Sequence, residues 1–351
     1  MANLYARFVF PLLRRMDAES VHERTLSLLE LAQRGVGRPF LYKIAGQLPH
    51  QPIEFAGLTF PNVLGMAAGF DKDIRVATGL AALGFGHIEA GTLTPRPQVG
   101  NPRPRIFRLP EDGAIINRMG FPNGGVVAAL PRLRQLAAQK RNFVLGVSLG
   151  KQKETSLADA AGDYIAVMQA VYPFANYLAV NISSPNTPGL RELQGGDYLG
   201  QLLGTLSAEN ESLSLALDVG KRPLFVKIAP DLTLAELDEI LTAVQDNQID
   251  AIIATNTTTS REGLASARQN ETGGLSGLPL RRQSTEIIQH IRRQTNGRLP
   301  IIGVGGIRTA ADVQEKLDAG AGLVQLYTSL VYEGPGLPGR LLRALAHSTT
   351  N

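Results

Sequence analysis

The sequence predicts an α/β protein: a closed parallel (β/α)8 barrel, or TIM barrel, behind an N-terminal two-helix extension. Two observations predict it. From about residue 63 the chain alternates short β-rich runs with longer helical patterns, and the unit recurs eight times in a row. The stretch it occupies, about 290 residues, is a length that such a barrel takes. The count and the length favour this barrel over a doubly wound open sheet.

In chain order, residues 1–45 come before the repeat. Residues 5–16 and 19–32 carry the pattern of two short amphipathic helices, with Asp17 or Ser20 as a cap for the second. Pro11 leaves the limits of the first helix open. Residues 51–61, QPIEFAGLTFP, read as a small hairpin that closes the barrel floor. The barrel strands are expected at residues 63–65, 87–91, 144–149, 177–181, 224–228, 251–255, 301–304 and 323–327. Amphipathic stretches such as 233–245 and 280–295 lie between them. Residues 95–122 form an excursion after the second strand. In it, residues 105–109 and 114–118 flank the hairpin signal Pro110-Glu-Asp-Gly113. The expected division is residues 1–45 as a helical segment and 46–351 as the barrel.

Composition narrows the function. Of the 351 residues 44% are hydrophobic and 19% charged, as in a soluble globular protein with a large core. The chain has no Cys, so disulfides, thiolate metal sites and a cysteine nucleophile are excluded. The five histidines are scattered, none at ligand spacing, so no metal is expected. A net charge of +4 without a basic block interleaved with aromatics argues against nucleic-acid binding. No apolar run approaches the ~20 residues of a membrane span, and the N-terminus lacks the apolar core of a signal peptide.

The working face of such a barrel lies at the C-terminal ends of its strands. There the first strand runs into AAGFDK and Lys72, and the second into Thr92 and then INRMGF at 116–121. The third strand holds Ser148. The fourth ends in Asn181 and a rigid polar loop, NISSPNTPG, with Ser184, Asn186 and Thr187. The fifth holds Lys227, and Thr255-Asn256-Thr257 follow the sixth. Gly305-Gly306 follow the seventh, and Tyr327-Thr328 the eighth. His87 falls at the opposite end. Gly305 and Gly306 before a helix suit either a tight turn or a phosphate held by backbone N–H groups. TGGLSG, 272–277, reads as a second glycine-rich loop. Lys227 inside LFVKIAP is an edge-strand lysine, half of a buried ion pair, or the partner of an anionic cofactor. Asn117, Asn181, Asn186 and Asn256 converging on one face suit a planar ring with many hydrogen-bonding groups, such as a pyrimidine.

Several stretches together carry a family resemblance. They are AAGFDK (67–72), EAGTLTPRPQVGNPRPRIFRLPEDGAIINRMGF (89–121), VNISSPNTPGLRELQ (180–194), VKIAPDL (226–232), IATNTT (253–258), TGGLSGLPL (272–280) and PIIGVGGI (300–307). The chain resembles the quinone-dependent, membrane-associated class 2 dihydroorotate dehydrogenases nearly end to end. The resemblance implies one FMN per chain and oxidation of dihydroorotate to orotate in pyrimidine synthesis, with ubiquinone or menaquinone as acceptor. It implies Ser184 as the base that removes the C5 proton, a role usually held by Cys in the related soluble class. Thr187 and Phe121 match positions of the proton relay and its shielding. The resemblance implies FMN contacts at Ala68, Gly69, Phe70, Asp71, Lys72, Thr92, Ser148, Asn181, Lys227, Thr255, Gly277, Gly306, Tyr327 and Thr328, with Lys227 at the flavin N1/O2 edge. It implies substrate contacts at Lys72, Asn117, Arg118, Met119, Gly120, Phe121, Asn181, Asn186, Asn256 and Thr257, and a quinone entrance at His22 and Arg108.

Three positions depart from the family. Ser148 stands where Asn is usual, Pro122 where Asn is common, and Thr328 where Ser is usual. The alternative is another FMN-dependent barrel oxidoreductase acting on a related pyrimidine ring; the serine loop and NRMGF argue against it. For residues 1–45, the apolar side chains either simply pack on the barrel or, with seven Lys/Arg against four Asp/Glu, make reversible contact with anionic lipid; their surplus favours the second. The expected setting is peripheral, on the cytoplasmic side of a bacterial inner membrane, as a monomer.

Overall fold

The computed structural model describes residues 3–187 and 189–348. In chain order the strands are β1 (Ile53–Phe55), β2 (Leu58–Phe60), β3 (Leu64–Met66), β4 (His87–Leu93), β5 (Ile106–Leu109), β6 (Ala114–Asn117), β7 (Val144–Leu149), β8 (Tyr177–Asn181), β9 (Leu224–Ile228), β10 (Ala251–Ala254), β11 (Gly274–Gly277), β12 (Ile301–Val304) and β13 (Leu323–Leu326). Strands β3, β4, β7, β8, β9, β10, β12 and β13 pair in parallel in that order, and β13 closes on β3. Each begins at the expected residue or one after it. Helices between the strands complete the (β/α)8 barrel. Two are capped reciprocally, Leu234–Asp246 by Thr233 with Glu236 and Ala310–Ala319 by Thr309 with Asp312.

The β1–β2 hairpin forms as expected, with Ile53 opposite Phe60. It turns Phe55 and Phe60 into the lower barrel, against Phe225, Tyr177, Ile253 and Leu323. A larger apolar layer fills the space between the strands and the surrounding helices.

His87 lies in this floor, fully buried, its ring edge-on to Phe60 at 5.3 Å. Neither ring nitrogen has a partner among the described residues, and burial pushes its pKa down to about 3. In the unfolded chain the imidazole binds its proton near 6.5. Between those values the unfolded state holds the extra proton, so stability falls as pH drops through that window. The expected contribution is a loss of about 2 kcal/mol between pH 7 and pH 5. His87→Leu should remove that share of the loss, measured by urea unfolding at both pH values. Equal acid sensitivity in the two proteins would clear His87 as a cause.

The extension holds the two expected helical regions. A wide turn at Tyr5–Val9 leads into α1 (Phe10–Leu13), and α2 spans Ala18–Ala32, where the Asp17 side chain accepts from Ser20 N–H. A third helix follows, α3 (Gly37–Ala45), beyond the two expected. Pro39 falls in its first turn, where a missing N–H costs nothing. Helix α2 buries Leu26 and Leu29 on the barrel. Glu19 is buried against Arg105 at 2.7 Å, and Arg75 bridges Glu23 and Glu30, each at 3.0 Å.

The excursion forms the expected β5–β6 hairpin, with Ile106 opposite Asn117. The 272–277 stretch corrects the expectation of a glycine-rich loop. Gly274–Gly277 is β11, antiparallel to β6, with Gly274 opposite Asn117. Glycine is needed for close approach here: a Cβ on Gly274 would lie 2.0 Å from Thr257 Oγ1.

Candidate active site

The strand ends, the β5–β6–β11 sheet and helices α2–α3 enclose a cavity of about 570 Å³. It runs from the polar loops above the barrel to an apolar mouth at Val21, Leu28, Phe40 and Ile44. Its charged lining residues are Lys72, Arg108, Lys227 and Arg308, and among the described residues no Asp or Glu lines it. Such a site favours anionic ligands.

The polar end is a network of amides and hydroxyls. Asn181, the last residue of β8, donates to Thr92 Oγ1 at 2.9 Å and accepts from Ser183 Oγ at 3.2 Å. Asn256 donates to Ser183 Oγ at 3.0 Å. Asn186 donates through its side chain to Asn117 Oδ1 at 3.1 Å, and its backbone N–H donates to Ser184 Oγ at 3.2 Å. Ser184 is buried and lines the cavity. Among the described residues no imidazole or carboxylate bonds to its hydroxyl. Arg191 ties the loop down, donating to the carbonyls of Ser183 and Thr257 and pairing with Asp231 at 2.7 Å. Lys72 donates to Gly69 O at 2.7 Å, and burial holds its ammonium below the usual lysine range.

Beside this network the loop after β12 passes close to the first turn of the helix that precedes that strand, Arg281–Gln294. Gly306 has φ +72°, and a Cβ there would lie 2.5 Å from Arg281 Cα. Gly277 has φ +105°, and a Cβ would lie 2.4 Å from Gly113 O. Both positions require glycine. Thr328 Oγ1 meets Ser276 Oγ at 2.8 Å. Ser329 Oγ and Gln325 Oε1 are buried without a partner among the described residues, although both residues line the cavity. Backbone N–H groups at glycines and two unsatisfied polar atoms are what a phosphate-bearing polar ring would complete.

At the apolar end His22 lies edge-on to Phe70, ring centroids 5.1 Å apart. Its Nε2 has no partner among the described residues, and burial with the Lys72 charge pushes its pKa down to about 3, so it is neutral. Arg108 donates to Leu13 O at 2.8 Å and to Met16 O, fixing the end of α1.

Most of the expected site residues line this cavity. Ala68, Gly69, Phe70, Thr255, Thr257, Met119, Gly120, Phe121 and Tyr327 join those already described. Four do not line it; one of these, Thr187, is buried within the serine loop. Ser148 is shut behind Thr92, its Oγ 2.9 Å from Thr92 Oγ1; the short side chain stops there. Asp71 turns away and accepts from the backbone N–H groups of Arg75 and Val76 at 2.7 and 2.8 Å. Burial pushes its pKa up to about 6. Arg118 is drawn outward by Glu271 at 2.7 Å and lies over the Phe107 ring. Lys227 has the buried ion-pair partner that the strand pattern allowed, Glu89, at 3.4 Å. Glu89 and Gln325 were not expected at the site. Each interrupts an apolar strand as Lys227 does, so the same signal was present.

The comparisons agree with this geometry. The dihydroorotate dehydrogenase family model matches residues 52–348. A dihydroorotate dehydrogenase (quinone) from Chromobacterium violaceum is 51% identical, covering 96% of both chains. One from Polynucleobacter asymbioticus is 49% identical over 96% of this chain and 97% of its own. The crystal structure of DHODH from Eimeria tenella in complex with ferulenol superposes with a TM-score of 0.86 at 38% identity, covering 95% of this chain and 92% of that one. On the family match, the near-complete coverage and the shared barrel, this chain belongs to the dihydroorotate dehydrogenases, a family of flavin-dependent oxidoreductases.

Proposed function

We propose that the cavity binds one FMN per chain above Lys227, oxidises dihydroorotate to orotate at Ser184, and gives the electrons to a membrane quinone that enters between α2 and α3. Family membership gives the overall reaction and its place in pyrimidine biosynthesis. The observation that carries the assignment is the meeting of Ser184, four asparagines and two lysines in a cavity that, among the described residues, no carboxylate lines.

The residues present fit FMN. Gly277, Gly306, Thr328 and Ser329 would hold its phosphate, and Lys227, Thr92 and Gln325 its ring. When bound, FMN supplies the acceptor for hydride from substrate C6. The chain's own residues do the rest. Asn117, Asn181, Asn186 and Asn256 orient the substrate ring, and Lys72 faces its carboxylate. Ser184 takes the C5 proton. It has no triad, so its competence comes from burial, from a substrate fixed within reach and from the Asn186 N–H on its oxygen. Phe121 screens the site from water, and buried Thr187 offers a hydroxyl beside the serine loop for the proton's exit.

Residues 1–45 are, in this reading, the quinone-access segment, and 46–351 the catalytic domain. The support is a division of apolar side chains. Phe10, Leu26 and Leu29 pack inward, while Phe8, Leu12, Leu28, Leu31 and Val36 are exposed. Among the described residues no helix is long and apolar enough to cross a membrane. The chain would sit peripherally, on the cytoplasmic side of a bacterial inner membrane. It would work as a monomer, since one chain encloses the cavity. Replacing Phe8, Leu12, Leu31 and Val36 together by serine should weaken binding to anionic liposomes by at least about a hundredfold. Reduction by dihydroorotate should be spared. Flotation at unchanged strength would remove this surface as the anchor.

The visible spectrum of the purified protein tests the core assignment. A flavin band that bleaches on anaerobic addition of dihydroorotate supports it; a colourless protein that takes up no FMN refutes it.

A further inference from the structure

A buried charge lies directly beneath the cavity, and the mechanism above leaves it without a role. Glu89, on β4, is completely buried. Its carboxylate accepts from Gln325 Nε2 at 2.8 Å and from the Tyr177 hydroxyl at 3.2 Å, and lies 3.4 Å from Lys227 Nζ. Residue 146, beside Tyr177 on the neighbouring strand, must be glycine for that hydroxyl to reach. A Cβ there would lie 2.0 Å from the Tyr177 ring. Lys227 and Gln325 line the cavity, whereas Glu89 and Tyr177 do not. The carboxylate therefore sits below and the ammonium above, with only the ammonium facing a ligand.

Stability alone does not account for this arrangement. Removing a carboxylate from water costs several kcal/mol, and a well-packed apolar replacement for a buried ion pair is often neutral or stabilising. Such packing is in use in the same barrel, in the floor of Phe60, Phe225 and Leu323. The pair is instead placed where its charge acts on whatever occupies the cavity.

We propose that Glu89 is a positioning residue for Lys227: it fixes the ammonium at the cavity floor and, by its own charge, sets the reduction potential of the flavin bound above. The proposal rests on the FMN site argued above. Two electrons entering the flavin bring negative charge towards Lys227. The ammonium favours that change and the carboxylate behind it opposes it, so the pair holds the potential between two extremes. With the carboxylate gone, the bare ammonium would favour the reduced cofactor. Reduction would gain and reoxidation by quinone would lose.

Glu89→Gln keeps the shape and hydrogen-bonding reach and removes the charge. The measurement is the midpoint potential of the bound flavin, titrated photometrically against a reference dye with no substrate present. The expected result is a shift to more positive potential, at least tenfold in the two-electron reduction constant, or about 30 mV. Glu89→Asp keeps the charge but withdraws it by one methylene, and should shift the potential the same way by less. An unchanged or more negative potential in Glu89→Gln overturns the proposal. Should that variant fail to fold, Glu89→Asp decides, and an unshifted potential there overturns it equally. A wild-type protein that takes up no added FMN overturns both this proposal and the site beneath it. A flavin-loaded protein whose potential ignores residue 89 overturns this proposal alone.

Discussion

Ser184→Ala is expected to keep its flavin and to lose flavin reduction by dihydroorotate by about 10²–10⁴-fold, the range that a positioned general base contributes. The hydroxyl lines the polar end of the cavity, and its bond from Asn186 N–H at 3.2 Å orients the oxygen without supplying a base. Asn117, Asn181 and Asn256 remain in the variant, so substrate binding should change much less than turnover. Anaerobic stopped-flow mixing reads the reductive step alone. Ser184→Cys should recover part of the rate, and the recovered part should rise with pH as the thiolate forms. A single-turnover rate in the alanine variant matching wild type would take Ser184 out of the mechanism.

Lys227→Ala should fail in two separable ways. Glu89 loses its cation while fully buried, and breaking a buried pair from one side costs about 3–5 kcal/mol. That loss should appear in flavin-free protein, as a lower urea midpoint. The second failure is weak flavin binding, since the cavity loses its cation at the floor. Combining Lys227→Ala with Glu89→Gln separates the two. The double variant should regain most of the stability and little of the flavin affinity, because neighbouring substitutions do not add. An alanine variant that is as stable as wild type, replete with FMN and fully active would show that Lys227 serves neither purpose.

Much of the architecture was legible because its signals are local. A short apolar run is visible in one dimension, and so is a polar residue at its C-terminal end, as with Asn181, or inside it, as with Lys227. Helix α3 lies beyond the two amphipathic patterns of residues 5–16 and 19–32, and its first turn holds Gly37 and Pro39, which that position accepts. Strand β11 was missed because its glycines imitate a loop. Their reason is the neighbouring backbone of Gly113 and the side chain of Thr257, which no local pattern reveals. Asp71 and Arg118 were assigned to ligands by their place in a motif, but their side chains are claimed by the Arg75 and Val76 amides and by Glu271. Glu89 stands in an apolar strand just as Lys227 does. A charge in an apolar strand asks for a partner wherever it occurs, and Glu89 and Lys227, on different strands, were each other's answer.

The roof sheet has a consequence for how the chain acquires its fold. Strand β6 pairs with β5 next to it in sequence, but also with β11, where Asn117 and Gly274 stand 157 residues apart. Four barrel strands, β7 to β10, lie between them in the chain. Contacts of such high sequence separation form only after the intervening chain has been ordered, since loop closure is otherwise entropically unfavourable. The cavity is therefore expected to be roofed late, on a barrel wall already largely laid down. The same sheet should be among the first parts to open from the native state. Amide hydrogens of β6 and β11 should exchange faster than those of β8 and β9 in flavin-free protein, and slow when FMN is added. A nascent chain would then meet its cofactor while the roof is still open, and ligand capture would double as the last step of folding.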